Sequence, residues 1–104
     1  GNAKKEGTII SSSPIFTPDE GTYNSTYVKV TISTEVGATI KYTIDGSNPK
    51  TSNTVITAKS HSNTVIIILK KSTVIKAFSY IRNHFDSDII NSTVTKYYVI
   101  SADN

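Results

Sequence analysis

Among its 104 residues the chain has no cysteine, no methionine and no tryptophan, and only two histidines. Without cysteine there is no disulfide and no thiolate to hold a metal. Zinc needs three or four ligands in defined geometry, so His61 and His84 make no site by themselves. The lack of tryptophan removes the strongest aromatic platform for a sugar ring. The lack of methionine leads us to expect a processed or excised piece of a longer protein. Long apolar runs are missing too. The longest, Val65-Ile66-Ile67-Ile68-Leu69, is strand length, far below the roughly 18 residues of a helical membrane span. Charge is sparse at 18%, and the net excess of +3 is scattered, with Lys4-Lys5 and Lys70-Lys71 the adjacent basic pairs. Nucleic-acid binders cluster their charge on one face or stripe, so no nucleic-acid partner is expected. Missing cysteine does not set the compartment, although bacterial surface proteins often do without it.

What fills the space is Thr, Ser and Asn around short alternating segments. Thr suits strands because its branched Cβ packs on a pleated surface. Tyr27 to Ser33 sets Val28, Val30 and Ile32 against Lys29, Thr31 and Ser33, the period-two pattern of a half-buried strand. Ile40, Tyr42 and Ile44 alternate with Lys41 and Thr43 in the next strand. Asp45-Gly46-Ser47-Asn48-Pro49 then breaks the pattern. Asp and Gly tolerate positive φ, and Pro49 holds Asn48 extended, so Asp45, Gly46, Ser47 and Pro49 read as a structural turn. Pro14 and Pro18 bracket a short edge strand, since proline cannot donate to a ladder. Val55 to Lys59 is a weak strand candidate. Val65 to Leu69 fits a strand covered on both faces or abutting a neighbour. Thr73 to Tyr80 should turn Ile75 and Ala77 one way and Val74, Lys76, Phe78 and Tyr80 the other. Arg82 to Asn91 reads as a polar loop, and Thr93 to Ile100 as the last strand. About seven short strands separated by turns, with no helical periodicity, predict an all-β sandwich. Residues 1–13 read as a flexible linker or tag remnant, 14–100 as the domain and 101–104 as a tail.

No constellation in this chain carries catalysis. Asp45 with Ser47 and Asn48 offers one carboxylate, too few for a calcium loop, and is better read as an Asx turn. Asp86 and Asp88 lie near His84 without a nucleophile or a third ligand. No catalytic residue, metal or cofactor is expected. Phe85, in a polar loop, is the best exposed anchor for a ligand. One of Tyr97 and Tyr98 must face outward, because successive strand residues point to opposite faces. Phe85, Tyr97 and Tyr98 are therefore the candidate ligand contacts.

These pieces, in this order, resemble the small β-sandwich module at the C-terminal end of chitobiases and related β-hexosaminidases. The likeness rests on Pro18-Asp19-Glu20-Gly21-Thr22-Tyr23, on Val28 to Ser33, and on Ala38-Thr39-Ile40-Lys41-Tyr42-Thr43-Ile44-Asp45-Gly46-Ser47-Asn48-Pro49. It extends to Thr73-Val74-Ile75-Lys76-Ala77-Phe78-Ser79 and to Val94 to Ile100, and so covers Pro14 to Ile100. The chain departs from the pattern at Val55 or Ile56, where the family has Tyr, and at Asn83-His84, where it often has Gly. The resemblance implies an immunoglobulin/fibronectin III-like sandwich with no catalytic residue, the chemistry of such enzymes belonging to a separate barrel domain.

The expectation is a non-catalytic structural, spacer or accessory module of a larger bacterial extracytoplasmic protein, secreted or on the cell surface. Its partners would be neighbouring domains of the parent chain. The alternative is an adhesion module that binds a cell-surface glycan or a host protein through exposed aromatics and end loops. That alternative predicts Phe85 and the outward Tyr on one patch. An enzyme is the third reading, and the residues offer it nothing.

Overall fold

The computed structural model describes residues 12–59 and 62–102. The first eleven residues of the expected lead-in, His61 and the last two residues of the expected tail lie outside this set. Nine strands run through it in two sheets, with no α-helix among the described residues. They are β1 (Ile15–Thr17), β2 (Gly21–Tyr23), β3 (Val28–Ser33), β4 (Thr39–Thr43), β5 (Ile56–Thr57), β6 (Thr64–Leu69), β7 (Thr73–Ile81), β8 (Ile89–Ile90) and β9 (Val94–Ile100). All seven expected strands are present. Gly21–Tyr23 and Ile89–Ile90 are additional, each two or three residues long.

The small sheet has the order β1-β3-β6 and is antiparallel throughout. The large one runs β2-β9-β7-β4-β5, with β8 also paired to β7. Since β4 occupies one edge of β7, β8 and β9 share the other and form one strand interrupted at Asn91–Thr93. Here β2 pairs with β9 in parallel, Thr22 opposite Val99. The first and last parts of the domain are thus joined across about 77 residues of chain. The crossing from small to large sheet passes the cis Thr17–Pro18 bond.

The core lies between the sheets, as alternation requires. From the small sheet come Phe16, Val28, Val30, Ile32 and Leu69, and from the large one Ile40, Ile75, Ala77 and Tyr98. Ile32, Ile40, Ile75 and Val30 are completely buried. Two expectations need correcting. Tyr42 is only partly buried at the rim of this core, and Ile44 lies past the end of β4 and is 47% exposed. The Val65–Leu69 run is covered on one face alone: Ile66 is 58% and Ile68 49% exposed, because nothing described packs on the outside of the small sheet.

The two poles of the sandwich can be located along β7. At one pole the entering chain is tied down. The Ser12 carbonyl accepts from Asn91 Nδ2 at 2.7 Å and from Ser79 Oγ at 3.1 Å. Asn91 N–H also donates to the Ser79 carbonyl at 2.9 Å. At the other pole the leaving chain is fixed: Ile100 N–H donates to Ser72 Oγ at 3.0 Å, and Ser101 N–H to the Tyr23 carbonyl at 2.9 Å. From Ser72 to Ser79 the strand covers roughly 23 Å at ~3.3 Å per residue.

Candidate functional site

The three residues expected to contact a ligand do not come together. Phe85 is 99% exposed, in the loop beyond Ile81 at the entry pole. Tyr97 is 59% exposed but stands opposite Val74, near the exit pole. Tyr98 must be withdrawn as a surface contact. It is 1% exposed in the core, stacks on Tyr23 with ring centroids 6.3 Å apart, and donates its hydroxyl to the Pro18 carbonyl at 2.7 Å. Burial pushes its phenol pKa well above the ordinary range, with the nearby Tyr23, Asp19 and Glu20 adding to the effect. The strand's period put one Tyr inward and one outward. Which was which depended on the register with β7.

The polar clusters are engaged in holding the backbone. Asp45 Oδ1 accepts from Ser47 N–H at 3.1 Å and from the Ser47 hydroxyl, while Oδ2 accepts from Thr54 Oγ1 at 2.7 Å. These bonds, led by the Ser47 hydroxyl, hold the Asp45 carboxyl down at about 2. Gly46 has φ of +80°, the left-handed conformation that favours glycine. The turn continues through Asn48, whose Oδ1 accepts from Lys50 N–H at 3.0 Å and whose carbonyl accepts from Ser52 N–H at 2.8 Å. Asp88 Oδ1 accepts from Asn83 N–H at 3.0 Å, and Asp86 Oδ1 from Ser87 N–H at 2.8 Å, so both carboxylates brace the loop that carries them. His84 is exposed, and His61 lies outside the described residues. Among the described residues, no three His, Asp or Glu side chains gather as a metal site.

A concavity lies where single residues gave no signal, on the outer face of the large sheet. In β7, Phe78 and Tyr80 alternate with the core-facing Ala77 and Ser79 and so point away from the core. The ring centroids of Phe78 and Tyr80 are 6.5 Å apart. Lys41 of β4 lies opposite Phe78 in register but leans diagonally, placing Nζ 5.4 Å from the Tyr80 ring centroid. That leaves Phe78 to the Asp45–Thr54 loop, whose Lys50 puts Nζ 5.3 Å from its ring. The loop also buries Pro49, and Thr43 is fully buried beneath it, donating Oγ1 to the Ser47 carbonyl at 2.6 Å. Phe78 is left 6% exposed.

Between these groups opens a cavity of about 360 Å³, its rim completed by Arg82, Asp88 and Ile90. A second hollow of about 380 Å³, lined by Gly37, Thr39 and His84, shares Tyr80 and Arg82 with the first. The first forms a groove, with the second as its neighbour across these side chains. Among the described residues Lys96 pairs with Asp19 at 2.8 Å, at the other pole, whereas Lys41, Lys50 and Arg82 have no carboxylate partner. The groove can therefore hold negative charge against an aromatic floor.

The profile of the chitobiase/beta-hexosaminidase C-terminal domain family matches residues 18–96 of this chain. No curated protein and no solved structure matches it. The chain belongs to this domain family, a non-catalytic module. The matched span includes the Asp45–Thr54 loop and β7, and so the turn that delivers Lys50 onto Phe78.

Proposed function

We propose that this member of the chitobiase/beta-hexosaminidase C-terminal domain family is an in-line spacer and accessory module of a longer, extracytoplasmic protein. The observation that carries this is the placement of the chain's entry and exit. Ser12 is bonded to Ser79 and Asn91 at one pole, and Ser101 to Tyr23 at the other. Many domains bring their termini close together, which suits insertion into another domain. Separated poles instead suit a module strung between neighbours and holding them apart. The parallel β2–β9 pair reinforces this, because it closes the sheet next to the point where the chain leaves it. The neighbouring domains of the parent chain are the expected partners.

Paired cysteines at Ser12 and Ser101, introduced into a chain with none of its own, give clean spin-label sites. Double electron–electron resonance should show one narrow distance band beyond about 20 Å, the length set by seven residues of extended strand. A dominant short distance would overturn the in-line reading. Turnover of an aryl β-N-acetylglucosaminide by the purified chain, if abolished by Asp86→Asn or Asp88→Asn, would overturn the non-catalytic one.

The adhesion reading through Phe85 and Tyr97 loses its main support, since those side chains lie toward opposite poles. The features that support binding are instead those of the outer face of the large sheet, where Lys41 and Lys50 sit over Tyr80 and Phe78.

A further inference from the structure

We infer that the groove over Phe78 and Tyr80 is a binding site for an acidic polysaccharide bearing one carboxylate per sugar ring, a uronate polymer. The inference stands apart from the in-line reading and does not depend on it.

Charge gives the first reason. Lys41, Lys50 and Arg82 face the groove against the single carboxylate of Asp88, and among the described residues none of the three has a carboxylate partner. Unpaired cations are common on surfaces, but these two ammonium groups are placed. Each rests over a ring, at 5.4 and 5.3 Å from the centroid, which limits the side chain's wandering and directs the remaining N–H donors outward. Arg82 adds a planar fork that matches a carboxylate with two parallel hydrogen bonds. Cations that are already held in place lose less freedom when an anion binds.

Spacing gives the second. The Phe78 and Tyr80 rings lie 6.5 Å apart, on the scale of one sugar ring, and each carries its own ammonium. A uronate polymer presents one charge per ring at a regular interval, and its apolar C–H faces can lie on Ile90 and on the ring edges. Asp88 can accept from sugar hydroxyls. The second hollow, next to the first at Tyr80 and Arg82, offers space for a further unit.

The competing anions fit less well. Single-stranded nucleic acid needs open aromatic faces to stack on, and here Phe78 is 6% exposed and both rings are capped by lysine. An acidic peptide that binds as an added strand needs a free sheet edge, whereas this groove lies on a sheet face between β4 and β8. A densely sulfated glycan carries more charge per unit than three cations can match.

The test is an amide chemical-shift titration of the full chain with tetragalacturonate at low salt. Chitotetraose, a heparin tetrasaccharide and a short poly-glutamate peptide serve as comparisons. The expected result is saturable shifts confined to Lys41, Lys50, Phe78 to Arg82 and Ile90, weakening as salt rises. Lys50→Gln and Arg82→Gln should each weaken binding at least threefold, and together about tenfold or more. Tyr97→Ala, at the other pole, should leave binding unchanged. Lys50 and Arg82 are exposed, so unchanged melting temperatures should show that the variants are folded. No saturable shift with tetragalacturonate, or shifts elsewhere, would overturn the inference. Equal binding of chitotetraose would remove the role of charge. Equal or tighter binding of poly-glutamate or heparin would remove the uronate specificity.

Discussion

The sandwich has two outer faces, and part of one is covered while the other is bare. On the large sheet, Thr43 is fully buried and Phe78 is 6% exposed although both point away from the core. On the small sheet, Ile15, Ile66 and Ile68 occupy equivalent outward positions and stay 64%, 58% and 49% exposed. The strands alone do not explain the difference, since both faces carry outward apolar residues. The cause is the loop after β4. Asp45 and Gly46 turn the chain back, Pro49 and Lys50 come down over Phe78, and a second layer is made without a third sheet. Nothing described does this for the small sheet. Outward apolar residues are therefore structural only beneath the loop, as Phe78 is, whereas Tyr97, Val99 and Ile90 on the same face and Ile15, Ile66 and Ile68 on the other stay exposed, and the groove lies at the edge of what the loop covers.

The largest test of this contrast is truncation on each face. Phe78→Ala should cost about 3 kcal/mol, the low end for removing a buried ring. Ile68→Ala, half exposed on the bare face, should cost under about 1 kcal/mol, near the range of surface substitutions. Urea midpoints at unchanged slope would measure both. Equal losses would break the comparison, since they would mean that the loop does not shield Phe78 or that the small sheet is covered after all.

Thr43→Val is a finer probe. It keeps the shape and removes the 2.6 Å bond from the Thr43 hydroxyl to the Ser47 carbonyl. The expected cost is about 1 kcal/mol for a lost, part-buried hydrogen bond. Amide exchange should quicken in Ser47 to Thr54 and stay unchanged in β3 and β6. Uniform loosening would show that the loop is not a separate layer.

Much of this was legible in the sequence. Val28, Val30 and Ile32 against Lys29, Thr31 and Ser33 announced their strand and its inward face, and the Asp45-Gly46 pair announced a turn. What could not be read was long-range. Gly21–Tyr23 gives almost no strand signal in three residues, and its partner Val99 is far along the chain. The Val65–Leu69 run was open to double coverage, because composition shows which residues could be buried and not whether anything arrives to bury them. The groove failed to show for the same reason. Lys41, Lys50 and Arg82 look like ordinary solvated charges until register and the returning loop set them around Phe78 and Tyr80. The exposure of Phe85 and Tyr97 is something that period and loop composition can suggest. Their separation depends on the length of β7, which only pairing fixes.

Acid should loosen the covered face first. The Asp45 carboxyl is lowered from 3.8 to about 2 by the bonds from Ser47 and Thr54. A carboxyl whose folded pKa lies below its unfolded value stabilises the fold above the unfolded value and stops doing so as pH falls through the folded one. The loop's contribution should therefore fade between about pH 4 and pH 2. Ring resonances of Phe78 should shift over that window while the methyl groups of Ile66 stay still. Asp19 is also held low, by Lys96, so a global stability curve would mix the two. Asp45→Asn isolates the loop: it should abolish the Phe78 transition and leave the Asp19 part. A Phe78 transition that survives in Asp45→Asn would refute the assignment.

The smallest effect on stability should come from the bare face, where the consequence is of another kind. In the small sheet, β6 has β3 on one side and no described partner on the other, so it is an edge strand. Its run Val65 to Leu69 is uncharged and rich in isoleucine, the composition that invites pairing between copies when a protein begins to open. Ile66→Lys places a charge on the outward side of that edge, opposite Thr31. Because Ile66 is already 58% exposed, the change should move the unfolding free energy by no more than about 0.5 kcal/mol. Light scattering on slow heating should nonetheless show aggregation starting later, or at higher protein concentration, than in the parent chain. A loss of stability comparable to that of Phe78→Ala would mean that the outer face of the small sheet is as structural as that of the large one.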